Sequence, residues 1–399
     1  MGEGRTVSMP EVAVVGGSLG GLTAALLLRD AGCRVTIYER SRTTLEARGA
    51  GIAVLDQTLR YPVERLGVDP ETISTRTASV RFLESDGSTA YAAQQPYRFS
   101  SWNTIYRVLH EAFPAQQYRL GRELAGFSCD GQGVRLEFAD GGECTTDLLV
   151  CADGIASLCR QRLLPEVAPM YAGYVAWRGT VPEAELGAAT YETLHDAITY
   201  QVMPNSHILL YPIPGPDGSV EPGQRLMNMV WYRNVPRDAL PEFLTGRDGV
   251  SREVSLPPGQ VRREQVGEMR TLAAEVLAPP IAEVVRSVAE PFVQAVFDIE
   301  VPRMATGRVC LIGDAAFAAR PHAAAGTAKA AEDGWVLAEE LTRADGVVDV
   351  ALPRWERRQL ALGASLLART REIGDSSQFT GHFRPGDPRL VFGLYGPGR

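Results

Sequence analysis

The sequence predicts an α/β fold in which a parallel sheet is assembled from distant stretches of chain, with a β-rich insertion between them. Three observations predict it. A short apolar run, Glu11-Val12-Ala13-Val14-Val15, meets the glycine-rich turn Gly16-Gly17-Ser18-Leu19-Gly20-Gly21 and then a Leu/Ala-rich segment. Two later apolar runs, 147–152 and 308–312, end in the small turns Asp153-Gly154 and Gly313-Asp314. Between those two, residues 171–235 are dense in β-branched and aromatic residues and interrupted by Gly-Pro loops.

Taken in order, 11–15 is short and apolar enough for a buried parallel strand. Residues 22–31 read as a helix closed by Gly32, and 34–39 as a second strand ending in an acid. This is a βαβ dinucleotide fingerprint, in which a tight turn lets backbone approach a pyrophosphate at the positive helix end. Gly16, Ser18 and Gly21 occupy its G-x-G-x-x-G frame, with Ser18 in place of the middle glycine, and Leu19 follows. Glu39 is placed for ribose hydroxyls, and an acid there disfavours a 2′-phosphate. A glycine-rich turn without a ligand is the alternative, and this stretch alone leaves NAD or FAD open.

Residues 78–92 and 118–147 alternate apolar and polar side chains, which predicts antiparallel strands. Segments 174–178, 208–212 and 226–231 predict further strands, with loops at 214–223 and 257–259. Helices follow at 267–277 and 281–288, then strands at 293–301 and 308–312, then helices at 326–343 and 353–373. The remaining residues, rich in Gly, Pro and Phe, read as a tail packed on the surface.

At 399 residues the chain can hold two cores. A net charge of −8 argues against nucleic acid or an anionic membrane as the main partner. No apolar run reaches membrane-spanning length and no cleavable signal is evident, so a cytoplasmic location is expected. The six cysteines form no C-x-x-C pair and read as reduced thiols. Only five histidines occur, none at i, i+4 spacing, so no metal site is expected.

The chain resembles the class A flavin aromatic hydroxylases over nearly its whole length. The likeness rests on 13–18 and 21–26, on Tyr38-Glu39-Arg40-Ser41, on Tyr171-Ala172-Gly173-Tyr174-Val175 with Trp177-Arg178-Gly179, and on Tyr211-Pro212-Ile213-Pro214-Gly215. Arg320-Pro321-His322-Ala323-Ala324-Ala325-Gly326 discriminates most, since the wider family has Pro-x-x-Gly-Gln-Gly there; it points to hydroxypyridine hydroxylases. The resemblance implies a discontinuous Rossmann-like FAD-binding domain (1–75, 98–170 and 300–372). A β-rich α+β substrate domain (76–97 and 171–299) is inserted in it, as in para-hydroxybenzoate hydroxylase, and 373–399 form a C-terminal tail.

It further implies FAD as cofactor, NADH or NADPH as reductant and O2 as co-substrate, acting through a flavin C4a-hydroperoxide. The expected substrate is a small hydroxylated N-heterocycle of the 2,6-dihydroxypyridine kind; a bulkier phenol is the alternative, and a flavin-binding protein without turnover a more distant one. Family habit implies a homodimer. Asp153 and Gly154, with Ser157 and Arg160, match D-G-x-x-S-x-x-R, assigned to the pyrophosphate and the pyridine nucleotide; Asp153 could instead cap the helix that follows. Gly313 and Asp314 are expected on the ribityl and ribose. Ala324, Ala325 and Gly326 would let backbone approach the flavin beneath a helix N-terminus. Pro321 is implied beside the reactive carbon. His322 would deprotonate or hydrogen-bond a ring hydroxyl, or serve structurally, and Tyr211 is a further catalytic candidate. Arg48 matches a loop about which the flavin moves. Trp102 stands where the family has arginine, with Arg107 a candidate replacement. Trp177, Arg178 and Tyr200 are candidate pocket walls, although aromatics on strands are more often core.

Overall fold

The computed structural model describes residues 9–46 and 51–399. It opens with β1 (Glu11–Val15), α1 (Leu19–Asp30) and β2 (Arg34–Glu39). β3 (Gly51–Ala53), α2 (Asp56–Leu66) and α3 (Pro70–Ile73) lead into a hairpin of β4 (Thr75–Leu83) and β5 (Thr89–Ser101). α4 (Trp102–Ala112) and β6 (Tyr118–Leu120) are followed by the meander β7 (Leu124–Cys129), β8 (Val134–Phe138) and β9 (Glu143–Thr146). Next come β10 (Leu148–Cys151) and α5 (Leu158–Leu163). The middle of the chain holds β11 (Met170–Pro182), α6 (Ala188–Leu194), β12 (Ala197–Met203), β13 (Ser206–Ile213) and β14 (Leu226–Asn234). It continues with α7 (Leu240–Phe243), β15 (Ser255–Leu256), α8 (Arg263–Val276), α9 (Pro279–Ser287) and β16 (Phe292–Glu300). β17 (Ala305–Thr306), β18 (Val309–Leu311), β19 (Phe317–Ala318), α10 (Gly326–Arg343) and α11 (Val348–Gln378) complete the elements.

Six strands form one sheet in the order β17-β18-β10-β1-β2-β6, parallel apart from β17. Its central strands are buried on both faces, as apolar runs such as Leu148-Leu149-Val150-Cys151 require. Register sets Leu311, Cys151, Val15 and Tyr38 side by side. The turns after β18, β10, β1 and β2 therefore leave one carboxyl edge in a row, the usual place for a ligand in such sheets.

The ten-stranded sheet runs β15-β16-β11-β14-β13-β12-β4-β5-β3, with β19 paired to β16. Alternation divides its side chains. Val175, Trp177, Ile208, Leu210, Met229 and Trp231 pack beneath α8 and α9, while Tyr174, Leu209, Tyr211, Val230 and Tyr232 face the other way.

Several expectations change. β6 pairs with β2 in parallel, because α4 carries the chain back as a crossover; only β7–β9 form the antiparallel meander. α6 interrupts the β-rich middle. α11 begins before Pro353, which sits in its second turn and removes one intrahelical bond without ending the helix. The tail is not a surface appendage: Phe383, Phe392 and Leu394 are buried, and the Arg369 guanidinium donates to the carbonyls of Val391 and Gly393. No helix among the described residues is long and apolar enough to cross a membrane, and no acid, histidine and cysteine cluster there could hold a metal.

Candidate active site

A groove of about 370 Å³ runs along the carboxyl edge, lined among others by Gly16, Ser18, Glu39, Arg40, Asp153 and Gly154. Its glycines are sterically required. A Cβ on Gly21 would lie 1.9 Å from the Gly16 carbonyl oxygen, and one on Gly16 (φ +101°) would lie 2.3 Å from that of Ala152. Ser18 is the N-cap of α1 but makes no side-chain cap, and Leu19 opens the helix, so first-turn N–H groups are free for an anion. Glu39 is buried and accepts N–H bonds from Gly17 (2.9 Å) and Ser41 (2.8 Å), which fixes its carboxylate at the groove wall.

Asp153 does two things. It lines the groove, and its carboxylate accepts from the Ser157 hydroxyl (2.6 Å) and the Cys159 N–H (3.1 Å), capping α5. Arg160, fully buried, donates to the carbonyls of Ile155 and Ala315 and so ties the turn after β10 to the turn after β18. In that second turn the Gly313 N–H donates to buried Asp333 (2.8 Å), which also accepts from buried Lys329 (2.7 Å). Asp314 has an exposed surface, yet the protein crowding its carboxyl raises its pKa against the pull of Lys329 and Arg160.

α10 starts at Gly326, again without a side-chain cap. The turn before it places Ala324 at φ +56°, left-handed backbone that favours glycine. The wider family's glycine falls at this position, so the alanine run retains a glycine's conformation without its freedom.

Beside this turn lies a second cavity of about 80 Å³, lined by Pro321, His322, Tyr200, His207, Tyr232 and Gln95 together with apolar residues. The Tyr174 hydroxyl and His322 Nε2 share a hydrogen bond of 2.7 Å. His207 Nδ1 lies against the Ser377 hydroxyl, with Gln378 Nε2 3.3 Å away. Burial, with repulsion from His207 and Arg320, holds the His322 pKa well below the ordinary histidine range, and burial alone pushes His207 down to about 3. Such a His322 is a poor store for a substrate proton and a good neutral hydrogen-bond donor.

The sequence candidates divide accordingly. Pro321, His322 and Tyr200 line the cavity. Tyr211 does not: it stacks on Phe99 at 4.1 Å and its hydroxyl donates to the Gly51 carbonyl (3.0 Å), so it anchors the start of β3. Trp177 lies on the opposite face of β11, edge-on to Phe243, because it is an odd number of residues from Tyr174. Arg178 lines the groove rather than the cavity and donates to Gln294 (2.9 Å) and Gly51. Arg107 turns toward the 214–223 loop, within 3.4 Å of where a Gly218 Cβ would stand, while Trp102 itself lines the groove. Arg48 lies outside the described residues. Sequence reasoning missed His207, Tyr232 and Tyr174; parity with Tyr211 along β13 would have signalled His207.

The groove fits a flavin dinucleotide: the glycine turn that a Cβ would foreclose, the uncapped N-terminus of α1 and a fixed acid all serve such a ligand. Comparison with known proteins agrees. The family profile described as "FAD binding domain" matches residues 9–207, and "FAD binding domain-like" matches 171–298. The chain is 37% identical to 2,6-dihydroxypyridine 3-monooxygenase of Paenarthrobacter nicotinovorans over 96% of its length and 95% of the relative's. It is 29% identical to 3-amino-4-hydroxybenzoate 2-monooxygenase of Streptomyces cremeus, covering 91% and 86%. The solved 2,6-dihydroxypyridine-3-hydroxylase from Arthrobacter nicotinovorans superposes with a TM-score of 0.92 at 36% identity, covering 98% of each chain. With the fold, the groove and this likeness in agreement, the chain belongs to the FAD-dependent aromatic hydroxylases, monooxygenases that use NAD(P)H and O2.

Proposed function

We propose that this enzyme hydroxylates a single-ring, oxygen-substituted N-heterocycle such as 2,6-dihydroxypyridine. The observation that carries the reading is the small cavity lined by two buried, neutral imidazoles. About 80 Å³ is roughly half of the 150 Å³ that holds one benzene in an engineered core, so the cavity leaves no room for a second ring and must widen even for one. This favours a small heterocycle over a bulkier phenol. A neutral imidazole N–H is a donor suited to ring oxygens that are keto or deprotonated, the electron-rich forms that react. In this reading His322 orients the ring and stabilises its oxygen, and Pro321 packs beside it.

When bound, FAD takes reducing equivalents from NADH or NADPH and activates O2 for transfer to the ring. Gly16, Ser18, Leu19 and Gly21 with the α1 N-terminus would receive its pyrophosphate, Glu39 a ribose, Gly313 and Asp314 the ribityl chain, and Ala324–Gly326 the ring edge. The aromatic walls exclude water. The division into FAD segments (1–75, 98–170, 300–372) and substrate segments (76–97, 171–299) belongs to the same proposal, as do a cytoplasmic location and a homodimer, which light scattering of the purified protein checks. The decisive experiment measures NADH and NADPH oxidation with a panel of hydroxypyridines and phenols, with product mass spectrometry. Stimulation and hydroxylated product with a dihydroxypyridine are expected; stimulation only by multi-ring phenols would overturn the reading.

A further inference from the structure

The cavity's outer wall is the C-terminal segment: Phe383, Gly386, Asp387, Leu390, Val391 and Phe392 all line it. The segment is clamped there. The Phe392 N–H donates to the Tyr97 hydroxyl (3.2 Å), the Gly393 N–H to the Ala323 carbonyl (3.2 Å), and the Phe383 ring stacks on His207 at 4.9 Å. Among the described lining residues Asp387 is the single carboxylate, and none is lysine or arginine. Its side chain is only 14% exposed. Arg389 binds both Asp387 oxygens through Nε (2.9 and 3.1 Å) and also pairs with exposed Glu372 (2.6 Å), so its charge is already taken up by two carboxylates.

We infer that Asp387 is a specificity-determining residue that excludes rings bearing a carboxylate. A ring acid entering this cavity would shed its hydration, meet no lysine or arginine among the described lining residues, and approach a carboxylate that already holds the neighbouring Arg389. An uncarboxylated ring meets none of these costs. The inference rests on the cavity being the substrate site and adds a selection rule to it, against hydroxybenzoates and hydroxynicotinates as a class.

The test uses matched pairs, titrated into the FAD-loaded enzyme and read by perturbation of the flavin spectrum. The pairs are 2,6-dihydroxypyridine against its 4-carboxylate, and resorcinol against 3,5-dihydroxybenzoate. In the wild type each acid is expected to bind at least about 100-fold more weakly than its parent ring. Asp387→Asn keeps a helix-capping side chain and removes the charge, and should narrow that ratio by about 10-fold. Val391→Lys, which adds a cation to the same wall, should narrow it further. A wild-type ratio near one overturns the inference, as does a ratio unchanged in both variants when circular dichroism shows them folded. If only the benzene pair binds, the pyridine reading fails while the ratio still judges Asp387. If no ring binds, both fall.

Discussion

His207 and His322 are neutral near pH 7 because the fold denies them hydration, and that has a cost with a definite sign. Their folded-state pKa values lie below the unfolded value, so the unfolded chain binds the extra protons. Stability is then level above about pH 6.5 and falls as pH drops toward about 3 for His207, by up to about 1.4 kcal/mol per pH unit for each histidine. Urea unfolding at pH 7.5 and pH 5 should show this loss, and His207→Phe should flatten it. The same depression means that the acid limb of kcat/KM should follow ionisation of the substrate rather than a group near 6.5. Ala324 offers the converse case: Ala324→Gly relieves left-handed strain and should raise stability by about 1 kcal/mol in the same assay. Gly21→Ala, which drives a Cβ into the Gly16 carbonyl, should yield a protein that purifies without flavin absorbance near 450 nm.

At the scale of elements, α1 and α10 hold the cofactor edge together. They pack so closely that a Cβ on Gly334 would lie 2.9 Å from Ala24 Cα. Within α10 the buried Lys329–Asp333 pair both neutralises itself and holds the Gly313 N–H. Asp333→Ala would strand the Lys329 ammonium, costing about 3–5 kcal/mol, and would free the turn that carries Asp314. Lower urea midpoint together with faster flavin loss is the expected pair of outcomes; loss of stability alone would separate the turn from cofactor retention. These elements were legible in the sequence. The glycine turn, the Glu39 strand and the span of α10 are each fixed by residues adjacent in the chain. The cavity was not, because its walls come from β4, β5, β12, β13, β14, the turn 320–326 and the tail. Trp177 and Tyr174 are three residues apart on opposite faces, and only the packing of α8 and α9 against one face decides which of the two is turned toward His322.

In the molecule as a whole the turn 320–326 leads from β19 into α10, and the segment 383–392 closes over the cavity beside it. Ending the chain after Gln378 would remove Phe383, Asp387 and Phe392 and open the cavity to water. NADH oxidation should continue in such a protein while product formed per NADH falls and hydrogen peroxide rises. That coupling ratio, measured beside the wild type, is the check. The tail's role escaped sequence reading because Gly and Pro content signals a loop, and nothing local tells a loop over solvent from one over a cavity. The row of turns at the carboxyl edge has a further consequence, in time rather than space. β1 and β2 leave the ribosome first, but their neighbours β10 and β18 follow much later, and the wall at 383–392 comes last. A growing chain therefore cannot complete the cofactor edge until β18 has been made, and cannot shelter the reaction until residues 383–392 have followed. Between those two points the chain passes through a form whose cofactor edge is complete while the cavity still stands open.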